Sequence, residues 1–322
     1  MKKGDDMRLA ICVATRGRAD SMIILLDRLE CLSSPVDVEL FVVVIENDDS
    51  SNLREEVLRR SSDNRQFIHG LQPKLGIPYA RNAALRVAIE EKADYIAFLD
   101  DDELPSEDWL IALWEKAKNN SYDLVGGPVE PMPAVSATSW ASKQMLLGLL
   151  RQSQVSRRKA LSKCASGQEN DIFIPTSNWM ARSAFMLQHR LEFDESMGFS
   201  GGTDLRFYRE LKRAGGRIGW CDTALVRERL SAKRLSVGYQ YRRARDQATS
   251  NFQVKNPRVT PKIVVKGIFY CAGKFFSALV WLPFVPMSKE GEFYQMIRSL
   301  GQSVGRFKAL LGRKSDHYQR IV

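Results

Sequence analysis

The run Val38–Ile45, VELFVVVI, constrains this chain more than any other stretch. Five of its eight residues are β-branched, and Glu39 alone breaks the apolar sequence. A strand of that composition must be covered on both faces, which is the condition of a parallel sheet flanked by helices rather than of a half-solvated antiparallel one. Leu9–Ala14 and Tyr95–Leu99 read the same way. Between these runs the period changes: Ile23, Leu26, Leu29 and Leu32 recur at helical spacing, and Tyr79–Glu91 reads as a helix. A short strand is expected at Phe67–His69, a helix opening at Pro105 with Trp109, Leu110 and Leu113, and an extended segment at Leu124–Val125. The alternation gives the fold class: α/β, with a doubly wound, Rossmann-like, mostly parallel central sheet and flanking helices. Ligands of such sheets bind beyond the carboxyl ends of the strands. Polar clusters follow Ile45 and Leu99, at those ends.

The pattern changes near Pro131. From there to Gln168 the chain is rich in Ser, Lys and Arg, with one helical piece at Met145, Leu146, Leu149 and Leu150, and reads as an insertion or mobile flap. It then returns to Asp171–Ala181, a helix near Ser183–His189, a turn at Phe199–Asp204 opening a helix to Ala214, and a last short strand ending at Val226. With 44% hydrophobic and 27% charged residues over 322 positions, the chain is globular and neither disordered nor polytopic. Cysteines 12, 31, 164, 221 and 271 are scattered and odd in number, without a CxxC pair. That excludes a zinc ribbon or a disulfide scaffold and fits a reducing compartment. The acids at Asp5 and Asp6 interrupt the place where a secretory signal would continue apolar.

The net charge of +10 is unevenly placed. Residues 226–322 hold 19 Lys and Arg against 5 Asp and Glu, a balance of +14, and the preceding 225 residues carry −4. Inside this basic third lies Ile263–Met287, IVVKGIFYCAGKFFSALVWLPFVPM, as long as a membrane span but carrying Lys266, Lys274 and two prolines near its end. A basic, aromatic and apolar segment of this kind is read as lying in, or dipping into, an anionic membrane surface. A buried core hairpin is the alternative. No nucleic-acid-binding motif accompanies the basic tail, so nucleic acid is not expected as a partner.

The tightest chemical cluster is Asp100-Asp101-Asp102-Glu103, directly after a buried strand. Four adjacent acids are costly unless a cation or basic ligand neutralises them. In an extended segment Asp100 and Asp102 face one side, and an all-oxygen site suits Mg²⁺ or Mn²⁺ shared with phosphates. The same residues also suit a solvated turn ahead of a helix. After Val38–Ile45 comes Glu46-Asn47-Asp48, placed to hydrogen-bond a base or ribose, or to serve as a surface turn. Thr15-Arg16-Gly17-Arg18 follows the first strand with two guanidinium groups. Gly76…Ala80-Arg81-Asn82 sets Arg81 near a helix start, where a cation opposes the macrodipole unless it serves a ligand such as a diphosphate or forms a salt bridge. Gly201-Gly202-Thr203-Asp204 offers a flexible approach and one carboxylate at a helix start, a pattern that also caps helices.

In this order the five clusters resemble the family 2 glycosyltransferases of the GT-A fold, over about residues 8–230, and within that family the bacterial exopolysaccharide enzymes of the succinoglycan type. The resemblance implies a GT-A domain over 1–230, with a nucleotide-sugar half at about 8–128 and an acceptor half at 129–230. Residues 231–322 then form a helical, membrane-associating region. It implies a DXD motif at Asp100 and Asp102, with Asp102 the metal ligand. Thr15, Arg16, Arg18, Glu46, Asp48, Arg81, Asp100 and Asp101 fall on the nucleotide-sugar side. Glu228 becomes a further metal contact, and Asn178, Arg182, Gly202 and Thr203 become acceptor contacts. The catalytic base falls on Asp204, where the family's usual Glu-Asp is Thr-Asp. The Gln-x-x-Arg-Trp motif of processive synthases is absent, which favours transfer of a single sugar.

The implied reaction is inverting and dependent on Mn²⁺ or Mg²⁺. It moves a sugar from a nucleotide-sugar, UDP being the family's commonest carrier, to a lipid-linked or glycan acceptor at the cytoplasmic membrane face. A competing reading is a catalytically silent relative that binds nucleotide-sugar or membrane as a scaffold. His69, His189 and His317 are isolated, and Trp140, Trp179 and Trp220 read as core residues or as sugar-stacking platforms.

Overall fold

The computed structural model describes residues 7–313, apart from Asp37, Ser121, Phe199 and Ser200. In chain order the elements run β1 (Met7–Thr15), α1 (Ala19–Glu30), β2 (Val38–Glu46), α2 (Arg54–Leu58), β3 (Gln66–Leu71), α3 (Ile77–Glu90), β4 (Tyr95–Asp100), β5 (Glu103–Pro105), α4 (Trp109–Asn120) and β6 (Leu124–Gly126). They continue with β7 (Val129–Pro133), α5 (Trp140–Ala165), β8 (Asn178–Arg182), α6 (Ser183–His189), α7 (Thr203–Arg213), β9 (Ile218–Trp220), β10 (Val226–Leu230), α8 (Val237–Lys255), α9 (Pro261–Trp281) and α10 (Glu292–Leu310). The three apolar runs are strands, as their composition requires. Pro105 closes β5 instead of opening a helix, because its missing N–H suits a strand end. Val226 opens β10 rather than ending a strand.

Two compact units divide the chain. One comprises 1–130, 157–198 and 206–228; the other comprises 131–156, 199–205 and 229–322. Segments 131–156 and 199–205 group with the tail in the second unit.

A seven-stranded sheet in the order β3-β2-β1-β4-β8-β6-β9 forms the centre of the first unit. All pairings are parallel except those of β8, which runs antiparallel to both β4 and β6. Strand β1 shows why the sequence had to be continuously apolar. Leu9, Ile11 and Val13 pack on one face with Met22, Leu25, Leu26 and Leu29 of α1. Ala10 and Cys12 pack on the other with Ala80, Ala84, Leu85 and Ala88 of α3. Alternate side chains therefore enter two different cores, and neither set can be polar. Beside the sheet, β5, β10 and β7 form a small ribbon in the order β5-β10-β7.

The expected flap at 131–168 is mostly one long helix, α5, of 26 residues. In the second unit Met145 of this helix is buried with Ala278, Tyr294, Met296 and Ile297. Gly148 lies where a Cβ would meet the ring of Tyr294. The Ser, Lys and Arg content that suggests a flap belongs instead to a helix with Met145 buried on one side.

Close backbone approach marks Gly127, just after β6. A Cβ there would stand 2.2 Å from the carbonyl oxygen of Ala224 and 2.9 Å from that of Cys221, both backbone atoms that cannot swing aside. Gly127→Ala is expected to cost about 2 kcal/mol, read as a lower urea midpoint with an unchanged m-value.

Candidate active site

The strand order reverses direction between β1 and β4: β2 and β3 follow β1 on one side, and β4 starts the other. Such a switch point opens a crevice at the strands' carboxyl ends. The parallel register sets Ala14 beside Asp100. Thr15 and the acidic turn therefore leave the sheet at the same edge.

The Thr15 hydroxyl donates to Asp101 Oδ2 at 2.8 Å. Arg18, from the turn after β1, places Nη1 2.8 Å from Asp101 Oδ1 and 3.0 Å from Asp102 Oδ2. Asp101 and Asp102 are both buried, so this guanidinium offsets two carboxylates held away from water. From α3, the buried Arg81 donates through Nη2 to Asp100 Oδ1 at 3.1 Å, with its guanidinium carbon 5.4 Å from the centre of the Phe193 ring. Asp100 is the open member of the group, its side chain 44% exposed. The expectation that Asp100 and Asp102 share one face of an extended strand does not hold. Residues 101 and 102 form a turn between β4 and β5, so strict alternation stops at Asp100.

Glu103 is the residue that the sequence reading leaves without a role. It is buried, and its Oε2 accepts the Asp100 backbone N–H at 2.9 Å, which ties the turn closed. Across the antiparallel β5–β10 pair it stands opposite Glu228. Burial first, then the charges of Asp100, Asp102 and Glu228, push the Glu103 carboxyl well above the ordinary glutamate range. Glu103 and Glu228 thus join the three aspartates at one edge. The only hint of this in sequence is the acid that extends the aspartate triplet, and its partner lies 125 positions downstream.

The second polar turn is braced from within. Glu46, buried at the end of β2, accepts the backbone N–H groups of Asn52 and Leu53 and lies 3.2 Å from His69 Nε2. Asn47 donates to the carbonyls of Gln72 and Lys74 and accepts from Gly76 N, fastening this turn to the loop before α3. Gly76 itself has φ of 137°, a conformation that side chains disfavour. Asp48 is half-buried and accepts the following Asp49 N–H. Arg16 is half-buried after β1. Asn82 is a further brace: it exchanges hydrogen bonds with the Phe193 backbone and donates to Glu195 Oε1, holding the 193–195 segment against α3.

Two expected acceptor contacts need correction. Asn178 is fully buried, its Oδ1 accepting from Trp109 Nε1 at 2.7 Å and its Nδ2 donating to the carbonyls of Pro128 and Ala224. Its amide has no surface left for a ligand. Arg182 stands opposite Tyr95, at the far end of β4 from Asp100, and pairs with Asp123. An antiparallel β8 carries the chain away from the acidic turn, a direction that the sequence does not reveal. In the second unit Thr203 is buried and Asp204 half-buried in the first turn of α7, with Thr203 Oγ1 3.5 Å from Asp204 Oδ1. Gly202, at φ of 98°, precedes them. Trp179 is core, stacked on Phe207. Trp140 is partly exposed and packs on Phe293. His317 lies outside the described residues.

Among the described residues no three His, Cys, Asp or Glu side chains are set around a metal-sized centre. What the turn does offer is carboxylate oxygen beside guanidinium groups, at the switch point on the carboxyl edge of the sheet. The model of glycosyl transferase family 2 matches residues 11–187, more than half of the chain, including most of β1 and all of β2 to β8. The chain is a family 2 glycosyltransferase. This glycosyltransferase is 29% identical over 227 residues to the succinoglycan biosynthesis protein ExoM of Rhizobium meliloti (strain 1021). The match takes in 67% of this chain and 65% of that protein. Two solved structures of S. aureus TarS 1–349 share its fold. The complex with UDP has a TM-score of 0.51 at 14% identity, covering 95% of this chain and 92% of that one. The complex with UDP-GlcNAc also gives 0.51, at 15% identity, covering 95% and 93%.

Two outcomes follow for the glycosyltransferase. Asn178→Ala strands the Trp109 indole N–H and two carbonyls, and should lower unfolding free energy by about 3 kcal/mol, measured by urea denaturation. Glu103 holds its proton more tightly folded than unfolded, so the stability it contributes at low pH is lost as pH rises from the ordinary glutamate range through its raised value. Glu103→Gln, which keeps an acceptor for Asp100 N–H, should therefore gain Tm relative to the wild type across that window, in buffer without divalent ions.

Proposed function

We propose that this glycosyltransferase moves a single sugar from a nucleotide-sugar, a UDP-sugar by preference, to a lipid-linked or glycan acceptor in surface polysaccharide synthesis, with inversion at the anomeric carbon. The observation that carries the reading is the acidic turn at the β1/β4 switch point, held by Arg18 and Arg81 with the Asp100 side chain 44% exposed. The nucleotides bound to TarS support a uridine donor. The name of the Rhizobium relative supports a polysaccharide product.

The donor set suits a hard divalent cation. It is all oxygen, and the charges of Asp100, Asp102 and Glu228 add to burial in raising the Glu103 carboxyl, so a cation would be favoured there. Mg²⁺ and Mn²⁺ are typically held by one or two carboxylates and completed by substrate phosphates, which agrees with a turn lacking a ready-made three-ligand set. Asp102 and Asp100 would hold the ion, with Glu228 nearby on β10, and when bound it would offset charge on the leaving diphosphate. Arg81 donates to the same diphosphate, exchanging its hold on Asp100 for a phosphate oxygen. Thr15 and Arg18 keep Asp101 fixed, and the Glu46 turn borders the nucleoside. Asp204 accepts the proton of the attacking hydroxyl, so that one in-line displacement forms the new glycosidic bond as the bond to the diphosphate breaks. A lipid-linked acceptor would be met at the cytoplasmic membrane face.

Asp204→Asn should cut transfer by at least about 10²-fold while nucleotide-sugar binding with Mn²⁺, followed by calorimetry, stays near wild type. Asp102→Ala should weaken both. Full transfer by the Asp204 variant would remove it as the base, and a wild-type protein that binds the donor without transferring or hydrolysing it would make the chain a silent scaffold.

A further inference from the structure

In the second unit, α9 has two unlike faces. One packs along α10 in antiparallel fashion. Gly267 is buried where a Cβ would reach the Leu310 side chain, Cys271 and Ser303 exchange hydrogen bonds between side chain and carbonyl, and Ala278 is buried beside Tyr294 and Ile297. These positions, 267, 271 and 278, recur at helical spacing and form one stripe. The opposite stripe faces solvent with Val265, Ile268, Phe269, Phe276 and Val280 between 52% and 74% exposed. An exposed apolar surface of this extent marks a docking surface.

Length and hydropathy alone would let α9 cross a bilayer. Its packing argues otherwise. The partner helix α10 carries Arg298, Arg306 and Lys308, and is itself set closely against α8: at Gly305 a Cβ would stand 2.0 Å from the carbonyl of Arg245. A spanning α9 would have to leave this helix pair or draw its charges into hydrocarbon. The charge around the exposed stripe selects the partner. Lys255, Arg258, Lys262 and Lys266 are exposed at its N-terminal end, within a region of +14. At the end of α10 that meets this half of α9, Phe307 and Leu311 are exposed beside Arg313. Apolar side chains flanked by cations match the boundary between acyl chains and anionic headgroups.

We infer that α9 is a monotopic anchor that lies in the plane of an anionic bilayer, with Ile268, Phe269, Phe276 and Val280 inserted and Lys262 and Lys266 on the headgroups. The inference deepens the proposed function by naming how the enzyme meets the membrane, and it rests on that reading only for its purpose.

Flotation of the full chain with phosphatidylglycerol/phosphatidylcholine vesicles tests it. The wild type should float with these vesicles and about tenfold less with pure phosphatidylcholine or in high salt. Phe269→Glu/Phe276→Glu should lose flotation, and Lys262→Glu/Lys266→Glu should lose its preference for the anionic lipid. Both should keep nucleotide-sugar binding, which separates failure of the anchor from failure of the transferase reading. Environment-sensitive labels on Ile268→Cys, Ala272→Cys, Phe276→Cys and Val280→Cys, in a Cys31→Ser background, should be quenched equally by shallow spin-labelled lipids. Depth changing steadily from 268 to 280 would overturn the in-plane anchor in favour of a span. Undiminished flotation of the Phe variant, or dimerisation without vesicle binding, would overturn the lipid as occupant.

Discussion

Like charges crowded at the end of β4 set the terms for the first unit. Asp100, Asp101, Asp102, Glu103 and Glu228 repel one another, and burial of most of them removes the water that would screen the repulsion. The structure answers with direct pairing: Arg18 bridges Asp101 and Asp102, Arg81 reaches Asp100, Thr15 donates to Asp101, and the Asp100 N–H donates to Glu103. These partners come from three separate places in the chain, namely the turn after β1, the second turn of α3 and the turn itself. The parallel register of β1 with β4 is what makes them neighbours. A one-residue slip would turn every β1 side chain into the wrong core and take Thr15 and Arg18 out of reach.

That crowding is a poor choice for stability alone. A turn built only to join β4 to β5 would have no reason to collect carboxyl groups that raise one another's proton affinity. The gathering of acids is what the proposed nucleotide-sugar donor and its counter-ion would use. The second unit follows a different physical rule. Its helices α8, α9 and α10 pack through small residues, Gly301 and Gly305 against α8 and Gly267 against Leu310. Such close approach leaves the large side chains of α9 on its outward face instead of between helices.

Much of the fold was legible because the relevant signals are local. The composition of VELFVVVI requires two covered faces, the helical spacing of Ile23, Leu26 and Leu29 names one cover, and Asp100–Glu103 announces where the strand ends. Asn178 and Arg182 show where such reading stops. Both belong to a short polar-tipped strand, and the sequence contains nothing that says whether it runs with β4 or against it. Running against it buries the amide of Asn178 among Trp109, Pro128 and Ala224 and carries Arg182 to the opposite end of the sheet. The Ser- and Lys-rich stretch of α5 misled for a related reason, since composition records polarity but not the angular position of Met145 and Gly148 on a helix.

What the amino-acid sequence determined by itself is therefore the set of things that depend on neighbours along the chain. These are the period of each apolar run, the ends at which polar turns appear, the family motif order and the basic, apolar character of the tail. Tertiary structure alone decided which of those polar residues meet. It assigned Arg18 to two aspartates, Arg81 to a third and Glu228 to Glu103, and it gave Asn47, Asn82 and Asn178 to internal bracing. It also placed one face of α9 against α10 and left the other bare. The physical reason is the range of the forces: backbone preference and hydrophobic period act over a few residues, whereas ion pairing and desolvation act through space, between groups whose separation is fixed only once strand order and direction are.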